Sequence, residues 1–152
     1  MQRNRNMMQQ TARAEVHGIK GHESIHGTVI FKQIQGGVLV TAQIYGLPNK
    51  PEKDRVFAFH IHAGKSCTGN STDPLADALG HYNPADTEHP YHAGDMPPLF
   101  GNNGYAYMTF FTNRFTVREI IGRVVIIHDM PDDFKTQPSG DSGMKIACGK
   151  IV

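Results

Sequence analysis

The chain has 152 residues, with 15 basic side chains against 14 acidic ones and a formal net charge of +1. That length supports one domain with a real core, and the charge balance gives no electrostatic footprint for nucleic acid or an anionic membrane as partner. No apolar run approaches the roughly 20 residues of a membrane helix, so a spanning segment is not expected.

Residues 1–10 are mostly Asn, Gln, Arg and Met, without the apolar stretch of a secretory signal. Residues 1–16 are therefore expected to form a flexible tail ahead of a single domain spanning 17–152. The missing signal points to the cytoplasm. Residues 26–34 and 37–45 carry strand patterning, and Gln35-Gly36-Gly37 between them reads as a hairpin turn. Residues 55–62 alternate: Val56, Ala58, His60 and His62 share one face, and Arg55, Phe57, Phe59 and Ile61 the other. Residues 63–103 have little strand pattern and are rich in Gly, Pro, Asn and Asp. A loop that long needs a functional explanation. Strands are predicted again over 104–112 and 122–128, one helical turn over 116–121, and a closing strand over 145–152, after an irregular stretch at 129–144. The fold class is all-β.

Six of the nine histidines fall in an ordered series, and His81, His89 and His92 of that series, with Asp95, explain the long loop. His60 and His62 are two apart on a strand, so both imidazoles point to one side and can reach one metal. A His-x-His pair alone equally describes a half-polar strand face. His128 ends another strand and can complete a three-histidine set. His81, at the start of the loop, can supply a fourth nitrogen. Four nitrogens in a tetragonal arrangement favour Cu(II). His81, His89, His92 and Asp95 offer three imidazoles and a carboxylate, a closed set suited to structural zinc. A metal can order a loop that has no core of its own. Any one of these histidines, taken singly, reads better as an ordinary surface-loop residue; the ordered series does not. His17, His22 and His26 lie outside the series and read as solvent-facing residues, with a weak accessory metal site as the alternative. Cys67 and Cys148 are compatible with free thiols in a reducing compartment.

Phe59-His60-Ile61-His62, Gly80-His81-Tyr82-Asn83-Pro84, His89, His92-Ala93-Gly94-Asp95, Ile121-Gly122-Arg123 running to Ile127-His128, Pro131-Asp132-Asp133, and Gly143 running to Ala147-Cys148-Gly149 occur in that order. In order and spacing the chain resembles the copper/zinc superoxide dismutase family over nearly its whole length. The resemblance implies a Greek-key β-sandwich or flattened barrel of about eight antiparallel strands with long metal-binding loops. It implies copper on His60, His62, His81 and His128, and zinc on His81, His89, His92 and Asp95, with His81 bridging the two. Asp132 would hydrogen-bond one histidine of each set. Cys67 and Cys148 would form a disulfide. The implied reaction converts superoxide to oxygen and hydrogen peroxide by alternating Cu(II) and Cu(I), with His81 and Lys145 as catalytic residues. The alternative is a non-catalytic copper/zinc-binding protein of the same fold. The substrate partner would be the superoxide anion; a homodimer and a copper donor are candidate further partners.

The chain departs from the family pattern at Lys145, where the family usually has an arginine three residues before the conserved cysteine. Positive charge is kept, but the two-pronged hydrogen bonding of a guanidinium is lost. Slower turnover than in an arginine form is expected, and Lys145→Arg is expected to raise the rate. The stretch from His128 to Lys145 is also shorter than in the common eukaryotic form. It carries Lys135 against Asp129, Asp132, Asp133 and Asp141, so weaker steering of an anion is expected.

Overall fold

A computed structural model describes residues 10–49, 51 and 55–152. Residues 1–9, part of the expected tail, lie outside the described residues.

Among the described residues, strand structure starts earlier than the sequence suggested. Strand β1 runs over Thr11–Gly18 and pairs antiparallel with β2, His26–Ile34. The expectation of a flexible tail through residue 16 is thus corrected for residues 11–16. The physical reason is an alternation of small apolar and polar residues: Ala12, Ala14 and Val16 are buried while Thr11, Arg13 and Glu15 face out. Strand β3, Gly37–Tyr45, follows across the tight turn at Gln35 and Gly36, where Gly36 adopts φ 84°. Such a left-handed turn position suits glycine, which has no Cβ.

Residues 55–62 do not form one strand. Val56–Phe57 (β4) pairs with Leu99–Phe100 (β6) in a small two-stranded sheet, and Phe59–His62 (β5) joins the large sheet. Ala58 breaks the run because its backbone is engaged elsewhere: its N–H donates to the Met130 carbonyl and its carbonyl accepts from His128 N–H. Strand β7 covers Ala106–Thr112, β8 Val124–His128 and β9 Lys145–Lys150. The predicted helical turn is present as α1, Val117–Ile120, begun by Thr116, whose N–H and hydroxyl both donate to the Glu119 carboxylate.

The large sheet has the order β5-β8-β9-β1-β2-β3-β7, with all pairings antiparallel. Strands β7 and β8, consecutive in the chain, lie near opposite ends of that order. The connection through α1 therefore carries the chain across the open side, burying Val117 and Ile120. One core cluster draws residues from every strand, including Val16, Phe31, Val40, Phe57, Phe59, Leu99, Ala106, Ile127 and Ile146. The sheet curls around this core as a half-barrel, and the all-β expectation holds. Among the described residues no helix is long and apolar enough to cross a membrane.

Strands β5 and β8 are buried along their whole length on both faces. Phe59, Ile61, Val125 and Ile127 enter the main core. The opposite face carries His60 and His62 on β5, and Val124, Ile126 and His128 on β8. It is covered by the long loops. A second, smaller cluster of Leu75, Ala78, Val124, Ile126 and Cys148 packs there.

Candidate metal centre

Alternation on β5 puts His60 and His62 on the covered face, and β8 brings His128 beside them at its C-terminal end. The β8–β9 ladder shifts register between Ile127 and His128. The loop after β5 returns alongside it through two isolated bridges, His62 with His81 and His60 with Asp95. Gly94 makes that approach close: a Cβ there would come within 2.2 Å of the Ile61 carbonyl oxygen. The result is two groups of ligating atoms, each group within 4.8 Å: His60, His62, His81 and His128, and His81, His89, His92 and Asp95. The structure therefore brings together all seven residues singled out from the sequence. His17, His22 and His26 fall in neither group, and His26 instead stacks on Tyr45 with ring centroids 5.4 Å apart.

The hydrogen bonds decide which nitrogen of each ring is left to a metal. Asp132 receives His60 Nε2 at 2.7 Å on one oxygen and His89 Nε2 at 2.8 Å on the other. An ionised carboxylate only accepts, so both Nε2 atoms carry protons and both Nδ1 atoms keep lone pairs. His60 Nδ1 and His89 Nδ1 are buried without a hydrogen-bond partner; His89 Nδ1 lies 3.1 Å from Asp95 Oδ2 but without hydrogen-bonding geometry. His62 Nδ1 donates to the Leu79 carbonyl at 2.7 Å, which turns its Nε2 inward, 3.3 Å from His128 Nε2. His81 Nε2 is likewise buried without a partner, while its Nδ1 lies 2.8 Å from Asp95 Oδ1 and 3.3 Å from His92 Nδ1. Buried polar atoms are normally satisfied. Unpartnered ring nitrogens converging from separate elements are what a metal site requires, and external hydrogen bonds that orient the rings are the usual support of one. The donor sets fit copper and zinc respectively.

Electrostatics keep these groups in their ligating forms. Burial depresses the His60 pKa to about 4, even though the Asp132 hydrogen bond opposes it. Burial depresses His128 to about 3, reinforced by repulsion from His60 and His81. His62 is pushed well below its usual range, first by burial and then by His128. His92 is lowered by burial against the pull of Asp95. For Asp132, burial acts to raise the pKa, but hydrogen bonds from His60, His89 and Phe134 N–H outweigh it and hold the group at about 2. Asp95 is lowered in the same way, chiefly by His81. At neutral pH His60, His62, His92 and His128 are uncharged and both carboxylates are ionised, as metal binding needs.

Of the further supports, Gln137, Arg114 and Gly140 had no sequence signature. Gln137 makes reciprocal bonds with the main chain of His89: its amide donates to the carbonyl at 2.8 Å and its oxygen accepts from the N–H at 2.8 Å. Arg114 donates to the carbonyls of Pro90 and His92, at 2.8 and 3.3 Å. Arg123 donates to Ala63 carbonyl at 2.9 Å and lies over the Tyr82 ring at 4.0 Å, bracing the segments beside His62 and His81. Gly140, at φ 75°, lets its loop close on Asp132; a Cβ there would fall 2.1 Å from Asp132 Oδ1. Cys67 and Cys148 form a disulfide. Lys145 lies opposite His128 in the β8–β9 ladder, and its Nζ donates to Asp73 Oδ2 at 2.6 Å and to Leu75 carbonyl at 3.0 Å.

Fold and site together define a β protein with a paired metal-ligand cluster sharing one histidine. A family model described as copper/zinc superoxide dismutase matches residues 25–151. A protein of Aquifex aeolicus (strain VF5) named "Superoxide dismutase [Cu-Zn] 2" is 31% identical, over 88% of this chain and 86% of that one. A Legionella pneumophila "Superoxide dismutase [Cu-Zn]" is 33% identical over 82% and 76%. Among solved structures, a SOD-like protein from Bacillus subtilis superposes with a TM-score of 0.73 at 27% identity, over 90% of this chain and 95% of that one. The chain belongs to the copper/zinc superoxide dismutase family.

Proposed function

We propose that the protein is a superoxide dismutase, taking two superoxide anions and two protons to oxygen and hydrogen peroxide. The observation that carries this reading is His81. Its two ring nitrogens face different ligand groups, and its Nε2 is buried without a protein partner. When bound, copper among His60, His62, His81 and His128 supplies one-electron chemistry in both directions, and zinc among His81, His89, His92 and Asp95 supplies none. The chain's own residues supply the rest. His81 Nε2 is placed to hold a proton and release it to the departing peroxide. Asp132 holds His60 and His89 in fixed orientations and tautomers, and the Leu79 carbonyl does the same for His62. Lys145, opposite His128 in the β8–β9 ladder, places an ammonium beside the copper-side group, held there by Asp73.

A second reading, a copper/zinc-binding protein without turnover, is favoured by one feature: Lys145 is already engaged by a carboxylate. Metal content and dismutation, measured together on the unmutated protein and on His62→Ala, separate the two. The variant is expected to keep zinc and lose copper-dependent dismutation. Undiminished activity would mean that the copper assignment is wrong. Copper bound by the unmutated protein, with no rate above a zinc-only form, would establish the second reading.

A further inference from the structure

We propose that Asp73 is a positioning residue that masks Lys145, and so sets how strongly the copper-side ligand group attracts a small anion. The inference rests on the copper reading of His60, His62, His81 and His128. The geometry is specific. Lys145 Nζ is held by two acceptors on one loop, Asp73 Oδ2 at 2.6 Å and Leu75 carbonyl at 3.0 Å. Asp73 is itself fixed: Oδ1 accepts from Leu75 N–H at 3.0 Å, and its carbonyl accepts from the N–H groups of Asn70 and Ala76. An isolated surface ion pair swings freely and contributes little. This one joins a preorganised turn to a strand, at a lysine side chain only 17% exposed.

The turn is also fixed to β9 by neighbours of the pair. The Cys67–Cys148 disulfide and the packing of Leu75 against Cys148 hold the same loop on the same strand. The ammonium is thus kept on the loop rather than free to swing toward an anion. A carboxylate of equal and opposite charge sits directly against it. At the distance of a bound anion, the pair presents a weak dipole instead of a unit charge. An arginine placed at position 145 would meet the same carboxylate. The gain expected for Lys145→Arg is therefore small while Asp73 remains.

Asp73→Asn keeps an oxygen for Leu75 N–H while removing the charge, so the turn is retained and Lys145 is released. Four proteins test the proposal: the unmutated chain, D73N, K145Q and D73N/K145Q. In the first measurement the metal-free proteins are treated with an acylating reagent, and modification of Lys145 is followed by mass spectrometry. D73N is expected to raise the labelling rate of Lys145 roughly threefold or more, with Lys20 and Lys150 unchanged. In the second, the Cu(II)-loaded proteins are titrated with azide and followed by their absorption spectra. D73N is expected to tighten azide binding on the order of threefold, the effect of one unmasked charge at short range in a water-like medium. D73N/K145Q is expected to return to the unmutated value, and K145Q alone to change it less than about twofold. Unchanged labelling and azide affinity in D73N would overturn the proposal. So would a tightening that survives in D73N/K145Q, or a large loss in K145Q alone, which would show that Lys145 is already free. A Cu(II) spectrum lacking nitrogen ligation would instead sink the copper reading, and the labelling measurement would still decide whether Asp73 masks Lys145.

Discussion

Asp132 does more for the site than any residue outside the two ligand groups. It accepts one bond from each group, is buried, and is itself braced by Phe134 N–H at 2.7 Å. Asp132→Ala is expected to weaken binding of both metals by roughly 10- to 100-fold, the usual cost of losing a carboxylate that orients a metal-bound histidine; competition with chelators of known affinity measures it. The histidines also make the metal-free protein acid-sensitive. In the unfolded chain His60 and His128 titrate near 6.5, and in the folded one near 4 and 3. Between those values the unfolded state binds more protons, so stability falls as pH is lowered from about 6.5. The His60 shift alone corresponds to roughly 3 kcal/mol. Asp132 adds loss of the same sign below its unfolded value of 3.8, as pH falls toward about 2. Denaturant unfolding of the metal-free protein from pH 7 to pH 4 is expected to show this decline, and a flat profile would contradict it. The clustered histidines and Asp95 were legible in the sequence through the strand spacing of His60 and His62 and through the motif order that resembles a family. Gln137, Arg114 and the Leu79 carbonyl were not, because their role is a contact across the chain that no local pattern encodes.

The long segment between β5 and β6 is the element on which the site depends, and it is held from several sides. Its first part lies on β9 through the disulfide, the Lys145–Asp73 pair and Leu75. Its later part is held by Arg114 and Gln137. The disulfide joins residues 81 apart, and closing a loop of that length restricts the unfolded chain by about 4 kcal/mol. A Cys67→Ser/Cys148→Ser protein is expected to lose stability of about that size in denaturant unfolding, and to bind copper more weakly, since Leu79 orients His62 from the same loop. No change in stability would mean that the ion pair and Leu75 alone hold the loop. Elements with strong apolar alternation, β2 and β3, were readable to both ends. Strand β1 was not, because its buried positions are mostly alanine, whose β preference is low. The break at Ala58 was equally hidden: the alternation runs through it, and only the backbone bonds to Met130 and His128 end the strand.

On the scale of the whole molecule, the curled sheet and the metal loops are two structures sharing β5 and β8. One face of those strands belongs to the core and the other to the ligands. Burial of the His60 and His62 face therefore comes from the loops that the metals would order, so metal loading and folding are expected to be coupled. The sheet order places β7 and β8 near opposite ends, an arrangement no local sequence pattern specifies; the family resemblance implied a Greek-key class but not this order. The central claim is catalytic, and its direct measurement is the superoxide dismutation rate of protein loaded with one copper and one zinc, beside a zinc-only control. A fast rate present only with copper is the expected result. A rate no greater than the control, with copper shown to be bound by nitrogen ligands, would contradict the account and leave a metal-binding protein whose masked Lys145 no longer serves turnover.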